Sequence, residues 1–226
     1  MGLSKYFGRF WFAAEPVFGV VMTLCFLGIL RNEMLLSDPV LLDKIMTMVI
    51  GAAISCCIAW GVVDGIFYVW ENHSLIQRKN IIINYAKKQD KRTESHRMVR
   101  QDLQDTYVEL LSNDEKESIY EKVVTNLAGT KSKAKISIKD DLITIFLDFC
   151  LNFGACLLIL LPFFFLRNII GVPQMLNLSV LSAVVLLFII GVWFETRKSL
   201  FFKIRKGLSY SVLGIIITIL TYCLGG

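Results

Sequence analysis

Histidine is nearly missing from this 226-residue chain: only His73 and His96 occur. Charge is also scarce, at 19% Asp, Glu, Lys and Arg, where a soluble chain carries roughly a quarter. The chain has no G-x-S-x-G, no H-E-x-x-H, no P-loop and no G-x-G-x-x-G. A nucleophile elbow, a zinc-peptidase helix and phosphate-cradling loops are therefore excluded, and enzyme chemistry is not expected. The six cysteines all fall in apolar blocks and lack zinc-ligand spacing. They read first as small hydrophobes, with a soft-metal role open for Cys56 or Cys57. No permanently bound cofactor is expected. The first apolar block contains Glu15 and Pro16 and no small-x-small cleavage site, so a cleavable signal peptide is not expected either.

Apolar residue types, by contrast, make up 55% of the chain and come in long blocks. That pattern predicts an all-α polytopic membrane protein with five transmembrane helices and a helical cytoplasmic domain between spans 2 and 3. Residues 3–14 place Leu3, Phe7, Phe10, Trp11 and Ala14 on one face, which suits an interfacial helix. Pro16 is expected to open a new helix, giving span 1 over residues 16–30 and a polar turn over 31–39. Span 2 starts near Val40 and is apolar to Trp70 apart from Asp43, Lys44 and Asp64. Residues 72–140 are rich in charge but carry helical stripes: Val99, Leu103, Tyr107, Leu110 and Leu111, then Ile119, Val123 and Leu127. Ser112 to Glu115 has capping-box spacing, and Gly129 is a stop. These signals predict a helical hairpin packed on an extension of span 2, followed by a basic linker over 131–139. Spans 3, 4 and 5 are expected over 142–166, 175–194 and 207–224, with a basic loop over 196–206. The domains are then 1–71, 72–140 and 141–226.

Lys and Arg are distributed unevenly. Two lie before span 1, fourteen in residues 72–140 and five in 196–206, against only Arg31, Lys44 and Arg167 on the other side. The positive-inside rule then puts the N-terminus and the hairpin in the cytoplasm and the C-terminus outside, in the cell membrane. The bases read as an orientation signal and a lipid-facing surface, not as a nucleic-acid site.

Asp64 stands out, because a carboxylate within hydrocarbon is costly unless it faces a cavity or a partner. Beside it Ala53, Cys57, Gly61 and Gly65 form a small-residue row suited to close helix packing. A second row, Gly51, Ser55 and Ala59, offers another face and hence a homodimer. Glu15, Asp148 and Glu195 each fall near the end of a span on the same side as Asp64. The four form either a cation-attracting vestibule or separate interfacial carboxylates paired with nearby bases. Asp64 and Glu15 are the candidate metal or proton ligands. His96, with Glu94, Glu109 and Glu117 in the same segment, reads first as a solvated helix residue.

Several short stretches carry a resemblance. Phe18-Gly19, Ala53-Ile54-Ser55, Gly154-Ala155 with Leu160-Leu161-Pro162-Phe163, and Gly207-Leu208 with Gly214 and Gly225-Gly226 resemble the vacuolar iron transporter family. Glu15-Pro16-Val17-Phe18-Gly19 with Ala59-Trp60-Gly61-Val62-Val63-Asp64-Gly65 is similar to a divergent prokaryotic branch. The resemblance implies five spans, a dimer, and exchange of Fe²⁺ or Mn²⁺ for protons. It also implies pore ligands in spans 1 and 2. The family's span-1 Asp-Gly aligns here with Met22-Thr23, and its span-2 Met aligns with Cys56. The expected function is divalent cation–proton exchange across the bilayer. The alternative is a non-transporting scaffold or accessory subunit that binds a partner through residues 72–140.

Overall fold

The computed structural model describes residues 9–36, 38–104, 106–130 and 135–224. Seven α-helices occur among them: α1 (Arg9–Leu36), α2 (Pro39–Ala86), α3 (Arg92–Leu103), α4 (Asn113–Gly129), α5 (Ile138–Phe165), α6 (Val172–Phe194) and α7 (Leu200–Leu224). Five of these, α1, α2, α5, α6 and α7, are long and apolar enough to cross a membrane. The chain divides into two compact units, residues 1–67 with 139–226 and residues 68–138. The 48-residue α2 contributes to each.

Within the first unit α1 is the most buried span, and it packs against α6 and α7. The small-residue row of span 2 does not make α2 the central helix; α1 holds that place. Val20, Leu24, Leu27 and Leu30 of α1 join Ile159 and Leu160 of α5 and Leu187 of α6 in one apolar core. The α6 and α7 backbones meet at Gly191 and Gly207, where a Cβ on Gly191 would lie 2.9 Å from the Gly207 Cα.

The restart expected at Pro16 is absent. α1 runs unbroken with Pro16 inside it. An internal proline forfeits one backbone hydrogen bond, and membrane helices tolerate it because neighbours re-satisfy the freed groups. Glu15 therefore sits inside the helix rather than at its start, with only 1% of its surface exposed. The interfacial helix expected over 3–14 falls partly on residues 1–8, outside the described residues; Phe10 to Ala14 belong to α1. Gly225, Gly226 and linker residues 131–134 also lie outside the described residues.

Other boundaries move outward. α1 continues to Leu36 through most of the expected turn, and α5 begins at Ile138. α6 opens at Val172, with Pro173 in its first turn. α7 begins at Leu200, so more than half of the expected basic loop is helix.

The second unit, residues 68–138, has its own small core. Ile82 and Ala86 of α2, Val99 of α3, and Tyr120 and Val124 of α4 bury together. The Ser95 hydroxyl donates to the Ile82 carbonyl at 3.2 Å. The Ser112–Glu115 capping box forms as expected. The first expected stripe ends early, because Tyr107 and Leu110 sit in a short 3₁₀ turn, Tyr107–Leu110, and are largely exposed. On α4 the buried line is Tyr120 and Val124, one position round from the expected Ile119, Val123 and Leu127.

Candidate functional site

Three helices of the first unit share one polar column. On α1 it consists of Glu15, Gly19 and Thr23; on α5, of Asp148, Asn152 and Cys156; on α2, of Gly65, Gly61 and Cys57. Residues four apart lie on one helix face, so each set is a single stripe. The stripes meet in register. The Glu15 carboxyl faces Asp148, a Cβ on Gly19 would collide with the Asn152 carbonyl, and Thr23 and Cys57 reach Cys156. A Cβ on Gly61 would lie 3.2 Å from the Asn152 Cβ, and one on Gly65 3.3 Å from the Asp148 Cβ. The same positions on α2 would meet the α5 backbone at Phe149 and Ile145, at 2.9 and 2.8 Å. Only glycine permits that approach, and this is how Gly61 and Gly65 set the column's width. Successive layers are about 6 Å apart, four residues at 1.5 Å each.

The first layer is carboxylic. Glu15 and Asp148 are each 1% exposed, and Asp64 is half-buried. Asp64 lies close enough to act electrostatically on both. The Trp60 indole donates a hydrogen bond to Asp64 one helical turn away, yet Asp64 Oδ2 has no partner. Glu15 Oε2 and both Asp148 oxygens are likewise buried without a hydrogen-bond donor. Glu15 and Asp148 are within bonding reach of each other, but two carboxyls bond only when one carries a proton. Among the described residues no Lys or Arg forms an ion pair with any of the three.

The middle layer is Asn152. It is fully buried, close to Glu15, and neither polar atom of its side chain has a partner in good geometry. The sequence does contain a signal for it, because Asn152 lies four residues after Asp148 in an otherwise apolar helix.

The third layer is Thr23, Cys57 and Cys156, all buried completely. The Thr23 hydroxyl donates to the Gly19 carbonyl at 2.7 Å and lies 3.8 Å from Cys57 Sγ. Next to this layer, Cys56 Sγ lies 3.9 Å from Met22 Sδ.

The remaining candidates fall elsewhere. Glu195 follows α6 and accepts two guanidinium hydrogen bonds from Arg197, both at 2.9 Å. That pairing holds its carboxyl well below the ordinary 4.5, at about 2. Ala53 and Cys57 bury in the main core, whereas Gly51, Ser55 and Ala59 are exposed. His96 faces Glu117 at 3.5 Å, Glu94 pairs with Arg97, and Glu109 pairs with Lys116. Among the described residues no three His, Cys, Asp or Glu side chains are arranged to hold a metal ion.

Five long apolar helices point to a multi-pass membrane protein as the class. Compared with known proteins, the chain matches no family model, no curated protein and no solved structure.

Proposed function

We propose that this protein moves a cation across a membrane in exchange for protons, with Glu15, Asp64 and Asp148 as the exchange site. The observation that carries the reading is the carboxylate layer. Three acidic side chains meet among long apolar helices, two of them deeply buried, and among the described residues no Lys or Arg pairs with them. Buried carboxylates that lack a partner cost roughly several kcal/mol each, and intramembrane carboxylates mark ion and proton paths. Protons or a bound cation would balance that charge. Metal binding favours the ionised groups and protonation releases the metal.

Hard oxygen ligands suit a divalent ion such as Mn²⁺ or Fe²⁺, in keeping with the resemblance to vacuolar iron transporters. The Lys and Arg bias supports a cell-membrane orientation with the N-terminus and residues 72–140 in the cytoplasm and the C-terminus outside. Exposed Gly51, Ser55 and Ala59 on α2 support a homodimer.

The test is Mn²⁺ uptake into proteoliposomes under an imposed pH gradient. Wild type should accumulate Mn²⁺ as the gradient collapses, and Asp64→Asn should not. Full uptake by Asp64→Asn would remove Asp64 from the site.

A second reading, a scaffold that binds a partner, has one observation in its favour. The second unit holds a cavity of about 290 Å³ lined by Ile82, Ile83, Val99, Leu103, Val123 and Leu127. If wild type carries no cation under any gradient, this apolar cavity becomes the place to look for function.

A further inference from the structure

The carboxylate layer does not use the sulfur atoms deeper in the column. Cys57 of α2 and Cys156 of α5 are wholly buried and near enough to interact, with the Thr23 hydroxyl beside them, 3.8 Å from Cys57 Sγ. Both are free thiols. A second sulfur pair stands beside them, Cys56 with Met22 at 3.9 Å, and Cys25 is near Cys56. Cys25, Cys56 and Met22 are only half-buried. Sulfur therefore runs from the partly exposed helix surface inward to the buried pair. One turn away, the Asn152 side chain presents two polar atoms with no partner. That is an independent sign that the column is built to face something polar.

We propose that Cys57 and Cys156 form a binding site for a soft, monovalent d¹⁰ cation, Cu(I) or its analogue Ag(I), separate from the carboxylate site. Ligand chemistry and number both favour such an ion. Thiolate and thioether ligands select Cu(I) over hard divalent ions, and Cu(I) is satisfied by two sulfurs in a line. A hard divalent ion prefers oxygen ligands, which this sulfur pair does not offer.

Charge also fits. Cu(I) binds as one thiol loses its proton, giving a thiolate–Cu(I)–thiol unit with no net charge. A neutral unit escapes the heavy cost of an unpaired ion in a low-dielectric interior. No electron moves in this step: one S–H bond breaks, two Cu–S contacts form, and one proton leaves. The displaced proton is taken up by the buffer.

The experiment uses the purified full-length protein in detergent, titrated with Cu(I) delivered as its bicinchoninate complex under reducing conditions. Wild type should take one Cu(I) per chain from the chelator. X-ray absorption should show a first shell of sulfur only. Cys57→Ser and Cys156→Ser should each weaken binding by about tenfold or more, the scale on which metal sites respond to lost support. The exposed Cys150 and Cys223 serve as controls, and their Ser variants should bind as wild type does. If the single Cys57 or Cys156 variants misfold, a variant with Cys25, Cys56, Cys150 and Cys223 all changed to Ser keeps the native pair and should still bind one Cu(I). No binding by wild type, a shell containing oxygen or nitrogen, or loss of binding in that four-Ser variant would overturn the proposal. None of these outcomes depends on cation flux through the carboxylates.

Discussion

The two units treat acidic residues in opposite ways. In residues 68–138 each of several carboxylates has a local base: Asp102 with Arg78 at 2.7 Å, Glu121 with Arg92 at 2.5 Å, Glu94 with Arg97 at 2.6 Å. Glu115 accepts from its own helix cap instead. All of these pairs are partly exposed, so they cost little and contribute little. In the unit of long apolar helices, Glu15 and Asp148 are buried more deeply than any of these, and among the described residues no base pairs with them. The first arrangement is what folding alone produces on a wet surface. The second works against stability, and such local costs are characteristic of functional sites.

The largest way to break that contrast is to neutralise its most buried member. Glu15→Gln keeps the shape and removes the charge. Cation flux in proteoliposomes should fall by tenfold or more, on the order of a lost transport ligand, while the helical circular-dichroism signal is retained. Next in size is the geometry that holds the layer together. Gly65→Leu forces a side chain into the α5 backbone at Ile145, and overpacking of this kind costs roughly 1–3 kcal/mol or more. A lower melting temperature or loss of folded protein in size-exclusion chromatography is the expected result.

The paired region should respond weakly. Arg92→Ala removes the Glu121 pair and should lower stability by about 0.2–1 kcal/mol, read as a small change in denaturant midpoint. The smallest effect concerns Glu195. Arg197 depresses its carboxyl from 4.5 to about 2, so its contribution is complete above the ordinary value and is lost as pH falls through about 2. The difference in melting temperature between wild type and Glu195→Gln should therefore be small at pH 7 and shrink toward zero as pH falls to that range.

Much of the fold was legible because hydrocarbon imposes simple rules. Long apolar blocks marked the five long apolar helices, and Ser112 with Glu115 marked the start of α4. What a helix does around Pro16 was not legible, because proline is compatible both with a first turn and with an interior position in a membrane helix. The candidate site was legible in part. Asp64, Glu15 and Asp148 stand out singly as charges in apolar helices. Their meeting, and the meeting of Cys57 with Cys156, depends on α1, α2 and α5 lying side by side. Spacing within one helix cannot specify its neighbours, although the four-residue steps Asp148, Asn152, Cys156 and Glu15, Gly19, Thr23 mark each stripe. Glu195 differs because its partner is two residues away, so local charge outweighed the vestibule.

The most direct test of the carboxylate account is a paired measurement on Asp148→Asn: simultaneous Mn²⁺ influx and proton efflux in proteoliposomes, and thermal stability of the same preparation. Asparagine removes a buried charge that no base among the described residues balances, so the protein should become more stable, by about 1 kcal/mol on the scale of stabilising changes at functional sites. Both fluxes should be lost together. Wild-type fluxes in Asp148→Asn, or a variant that loses stability as well as flux, would contradict the claim that this carboxylate is kept for transport rather than for the fold.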